Sequence, residues 1–124
     1  MRRKLILLLI LAGMFMIFLS CSSKPLPDQG VKILQPQGGV VLKAGDSYEI
    51  LWKVEPVESE FGAMVTIEFS RDGGKSWEIV QENVQNSGKY LWNIPKVGSG
   101  QCKVRVISQY RAIYRGTSEL FSVM

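Results

Sequence analysis

From Ser47 to Val54 the chain alternates. Tyr48, Ile50, Trp52 and Val54 fall on one side, and Ser47, Glu49 and Lys53 fall on the other. A period of two sends successive side chains to opposite faces of a strand, so this segment has one face for a core and one for water. Met64 to Ser70 repeats the pattern, with Val65, Ile67 and Phe69 inward and Thr66 and Glu68 outward. Gln101 to Ser108 repeats it again, with Lys103 and Arg105 outward and Cys102, Val104 and Val106 sharing the other face. Shorter runs fill the gaps. Val31 to Leu34 stops at Pro36 and Gly38-Gly39, and Val40 to Lys43 resumes it. Trp77 to Gln81 returns from a turn over 71–76, Tyr90-Leu91-Trp92 ends before Pro95, and Glu119 to Met124 closes the chain. No stretch from Val31 on has helical periodicity.

Strands at this spacing, divided by Gly, Pro, Asn and Asp, predict an all-β fold of about seven strands in a two-sheet sandwich. With a tryptophan on the second long strand it resembles an immunoglobulin-like or fibronectin-III-like domain, placed here over residues 31–124. No cysteine pair spans the sheets, which argues against an antibody-type domain. Trp52, Trp77 and Trp92 are expected to supply much of the core, at about 150–250 Å² buried each.

The N-terminus constrains location. Arg2-Arg3-Lys4 precedes an apolar run from Leu5 to Leu19, and Ser20-Cys21 follows. Cations, then an apolar segment shorter than the roughly 20 residues of a spanning helix, make the layout of an export signal. Phe18-Leu19-Ser20-Cys21 resembles a bacterial lipobox. The resemblance implies a signal peptide over 1–20, fatty acyl chains (palmitate among them) on Cys21, and a tether over 21–30. It also implies an extracytoplasmic lipoprotein held at the cell envelope by its lipid anchor. Ser22, not Asp, follows the cysteine, which in a diderm host favours the outer membrane. The alternative is an uncleaved N-terminal anchor helix; either way the domain sits at a membrane. Arg2, Arg3 and Lys4 supply three of the net +4 charges, so the remainder carries about +1 and gives no case for nucleic acid.

One motif is sharp. Ser70, Asp72, Gly74, Ser76 and Trp77 match the Asp-box, Ser-x-Asp-x-Gly-x-(Ser/Thr)-Trp. Its chemistry is turn chemistry: a carboxylate accepting N–H groups of its own loop, glycines free to take positive φ, and an indole to cover the hairpin. Sialidase-like propellers carry several copies, whereas this chain has one, and one hairpin makes no propeller. The five residues are therefore assigned a structural turn. The order Ile33-x-x-Pro36, Gly45, Ile50-x-Trp52, Ser70–Trp77, Tyr90-x-Trp92-x-Ile94-Pro95, Val104-x-Val106 and Ser118-x-x-Phe121 resembles more. It is similar to the small N-terminal domain of Ser/Thr-rich GPI-anchored wall proteins and its bacterial surface relatives. That resemblance implies a surface binding or structural module without catalytic residues.

No histidine is present, which removes the commonest general base and metal ligand. No catalytic residue, metal site or cofactor is expected, and the chain is read as a non-enzyme. Glu55, Glu58 and Glu60 share a loop but lack calcium-loop spacing, so they read as solvated. A small sandwich with no evident cleft makes paired-carboxylate glycoside hydrolysis remote. Cys102 reads as a buried small apolar group. Tyr110, Arg111, Tyr114 and Arg115 alternate aromatic and cationic groups in the last long loop. Tyr and Arg are the types enriched at binding hot spots, although the tyrosines can equally pack the sandwich edge. These four are the candidate binding residues. The expected function is a membrane-anchored envelope module binding a protein or polysaccharide neighbour. The alternative is a structural or assembly subunit of the envelope with no small ligand.

Overall fold

A computed structural model describes residues 26–55 and 62–124. Cys21, Glu58 and Glu60 lie outside the described residues.

The described residues are all-β, in two sheets. The strands are β1 (Val31–Gln35), β2 (Val41–Leu42), β3 (Ser47–Val54), β4 (Met64–Ser70), β5 (Glu78–Gln85), β6 (Lys89–Asn93), β7 (Ser99–Ser108), β8 (Arg115–Thr117) and β9 (Phe121–Val123). The smaller sheet runs β1-β3-β6, and the larger runs β2-β9-β7-β4-β5, with β8 also on β7. Every long-strand pairing is antiparallel; β2 alone lies parallel to its neighbour, β9.

Alternation decides what is buried. Ile50 and Trp52 from β3 face Val65, Ile67 and Phe69 from β4 and Cys102, Val104 and Val106 from β7. Trp92 completes the contact between sheets. Its ring centroid is 5.1 Å from Phe69 and 6.4 Å from Phe121, the latter edge-on. Offset and edge-on geometries suit the ring quadrupole. The Trp52 indole N–H donates to Asn86 Oδ1 at 2.9 Å, so a turn residue satisfies a buried polar group. Cys102 is wholly buried, and burial pushes its thiol pKa up.

The strand count exceeds the sequence expectation of about seven, because β2 and β8 are only two and three residues long. Val40–Lys43 does not resume β1, since β2 joins the other sheet. Trp77 does not enter the core. It precedes β5 and lies half-buried on the outer face of the larger sheet. Asp28 to Gly30, assigned to the tether, is fastened to the domain. Gln29 exchanges both backbone hydrogen bonds with Arg115 at 2.9 Å, and Asp28 accepts from Thr117 N and Oγ1 at 3.0 and 2.9 Å.

Candidate functional site

Two ends of the sandwich carry the residues singled out from sequence. β4 runs from Met64 at one end to Ser70 at the other, and β7 runs back beside it. The Ser70–Trp77 turn therefore sits at the end opposite the 109–114 loop.

The turn is closed by side chains. The Ser70 hydroxyl donates to Asp72 Oδ1 at 2.7 Å and accepts from Gly74 N at 2.8 Å. Ser76 donates twice to the same carboxylate: its N–H to Oδ1 at 2.9 Å, and its hydroxyl to Oδ2. These bonds, the Ser76 hydroxyl first, then Ser76 N–H and the Ser70 hydroxyl, hold the Asp72 carboxyl well below the usual carboxylate range. Gly73 and Gly74 have φ of 75° and 93°, a region L side chains rarely enter. Trp77 donates from Nε1 to Gly74 O at 3.1 Å. Both carboxylate oxygens of Asp72 are thus engaged within the loop, which makes it a turn organiser.

Trp77 has a second role that its motif does not announce. Arg105 Cζ lies 4.0 Å from the indole centroid. The same guanidinium donates from Nε and Nη2 to Glu68 Oε1, at 2.9 and 2.7 Å. Glu68 and Arg105 are directly opposed across β4 and β7. The alternation of both strands places them outward, so the pair was available to sequence reasoning; the indole stacked on it was not.

At the other end, the Tyr110–Arg115 run separates into two halves. Tyr110 is 72% exposed, and its Cβ rests against Gly62. Arg111 is exposed and makes no ion pair among the described residues. Ile113 and Met64 are 43% and 38% exposed. The loop is pinned: Arg111 N donates to Ser108 Oγ at 3.0 Å, and Arg115 Nε and Nη2 reach Ala112 O at 3.0 and 2.8 Å. Tyr114, by contrast, is partly buried against the core and covers Gly30. Arg115 lies in β8, not in the loop, and its guanidinium is spent on Ala112 O. The structure brings Tyr110 and Arg111 to a surface and gives Tyr114 and Arg115 structural work.

Glu55 pairs with Lys53 at 3.0 Å, and that contact lowers its carboxyl pKa. No group of acidic, Cys or His side chains able to hold a metal occurs among the described residues. A groove of about 550 Å³ runs between β1 and the β8–β9 segment, past Ile33, Leu34, Gln37, Ser118 and Glu119. The expectation of no cleft is corrected to that extent. Asp28 and Glu119 both line the groove, and Asp28 is committed to Thr117.

No protein-family model matches the chain, and no curated protein matches it. Among solved structures, the fibronectin(III)-like modules of Clostridium thermocellum CbhA align with a TM-score of 0.43 and 16% identity. The alignment covers 76% of this chain and 92% of that one.

Proposed function

We propose that this chain is an immunoglobulin-like or fibronectin-III-like module, lipidated at Cys21 and carried on the outer side of a membrane as an envelope interaction domain. Its contact surface is the 109–114 tip. The fold assignment is supported by the strand order: β1-β3-β6 opposite β9-β7-β4 is the order of the first, second and fifth strands against the seventh, sixth and third of such sandwiches. The Ser70–Trp77 turn serves as an Asp-box hairpin lock, a structural element only. The lipoprotein reading is supported by Arg2-Arg3-Lys4, the Leu5–Leu19 run and Ser20-Cys21.

The observation that carries the functional reading is the exposed Tyr110–Arg111 pair on a loop whose two flanks are fixed. A held loop loses little entropy on contact, which favours it as a binding surface. The reading assigns no catalysis.

The test is Tyr110→Ser with Arg111→Ser in the full chain, expressed in a lipoprotein-processing bacterium. Mass spectrometry should find Cys21 acylated in both proteins, and crosslinking in intact envelopes should lose the adducts that the unaltered protein forms. Unchanged adducts would reject the tip as the contact surface. A bare Cys21 with Met1 retained would reject the anchor.

A further inference from the structure

The tip has a chemistry of its own. Met64, Tyr110 and Ile113 are exposed apolar or amphipathic groups, and Arg111 is a long cation among them. Met64 O accepts from Gln109 N at 3.0 Å, which places Met64 at the base of the same loop. The Tyr110 side chain lies directly against Gly62, from Cβ to the near edge of its ring. A tyrosine, two aliphatic side chains and an arginine exposed together at one end are the side chains that sit at a lipid–water boundary. The ring and stems enter the apolar edge, while the hydroxyl and guanidinium stay wet.

The length of the connector points the same way. Gln29 is bonded to Arg115, whose guanidinium caps this same loop. Only eight residue steps separate Gln29 from Cys21. Whatever path they take, they span at most about 28 Å. The eight residues of β3 rise about 26 Å, so the Ser70–Trp77 end lies roughly a full strand length farther away. Bringing that distal end to the lipid would draw the connector nearly taut along the flank, whereas the 109–114 end needs almost none of it.

From these two observations we infer that the tip docks on the bilayer that holds the protein. Met64, Tyr110 and Ile113 rest in the headgroup–acyl boundary, and the Ser70–Trp77 hairpin points outward. The inference rests on the lipoprotein reading above and names lipid as the partner of its contact surface. Contact is through interfacial partition more than charge, since the exported part is nearly neutral.

The experiment places a fluorescent probe at Ile113→Cys or, as the distal control, at Lys96→Cys in the full lipidated protein. Cys102 is wholly buried and leaves the new thiol as the labelling site. Tyr110→Cys gives a second proximal position. Each protein is reconstituted into phosphatidylethanolamine–phosphatidylglycerol vesicles containing a headgroup-proximal spin-labelled lipid. Probes at 113 and 110 should be quenched by that lipid several-fold more than the probe at 96, and shielded from aqueous iodide. Vesicle-bound protein whose proximal and distal probes are equally open to iodide would overturn the docking and leave the anchor standing. Shielding of position 113 by purified wall glycan in place of lipid would also overturn it. Failure to float with vesicles at all would remove the anchor and the docking together.

Discussion

Replacing Arg105 with Ala should be the costliest single change on the outer face of the larger sheet. Two guanidinium nitrogens reach one Glu68 oxygen, and the Arg105 and Glu68 side chains retain only 17% and 14% of their exposure. Deleting the cation leaves a carboxylate half-withdrawn from water beside an uncovered indole. Removing one partner of a fully buried pair costs about 3–5 kcal/mol. Here some hydration survives, so the hydrogen bonds to charged groups contribute about 1.5–3 kcal/mol. The stack on Trp77 adds about 0.5–1 kcal/mol. A net loss of about 2–4 kcal/mol lowers the melting temperature by about 10–30 °C in a domain of this size. Thermal melts of the full chain in mild detergent, followed by near-ultraviolet circular dichroism, read it directly. Glu68→Gln and Arg105→Met, singly and together, complete a double-mutant cycle. The double change should recover much of the loss, because replacing both members of such a pair is far milder than orphaning one. A loss below about 0.5 kcal/mol for Arg105→Ala would refute the reasoning and make this an ordinary surface pair.

Two further outcomes follow from the geometry. The Asp72 carboxyl is held below its unfolded pKa by Ser76 and Ser70, so its contribution is present above about pH 4 and disappears as pH falls further. Asp72→Asn should therefore melt lower than the unaltered protein at neutral pH, with a gap that narrows steadily as the pH falls below about 4; a gap unchanged between about pH 4 and pH 2 would show that the charge is not what organises the turn. Gly116→Ala drives a methyl into the Val31 carbonyl, where β8 and β1 meet backbone to backbone. It should cost about 1–3 kcal/mol, measured by urea unfolding, and an unchanged midpoint would mean that β1 can step aside.

The strands that could be read from sequence are those with a buried face on a long, regular ladder. In β3, β4 and β7 the buried apolar residues are those the alternation names, and parity slips only at strand ends such as buried Ser70. Parity fails where the ladder does. The β4–β5 register shifts between Val65 and Ile67 and again between Ile67 and Glu68, so counting through the turn cannot say which way Trp77 faces. The two-residue β2 gives no pattern at all, and its parallel seat beside β9 is decided by backbone bonds such as Ser122 N to Val40 O. Leu120 likewise looks inward from composition, yet it is 46% exposed because the inward positions of β9 are Phe121 and Val123.

The candidate site shows the limit most sharply, because its sequence repeats a dipeptide. Tyr110-Arg111 and Tyr114-Arg115 are chemically the same pair four residues apart, and hot-spot statistics cannot separate them. What separates them is backbone that lies far away in sequence. Gly30, at φ 81°, presents a bare surface that the Tyr114 ring covers. Gln29 exchanges both backbone bonds with Arg115, and this fixes where β8 begins. Residues on both sides of that boundary obey different physics: behind it side chains fill space and close hydrogen bonds, and ahead of it they meet whatever lies outside. The docked Asp28–Gly30 segment therefore does two things at once. It turns the second Tyr-Arg pair into framework, and it limits how far the exposed first pair can stand from Cys21, the proposed anchor.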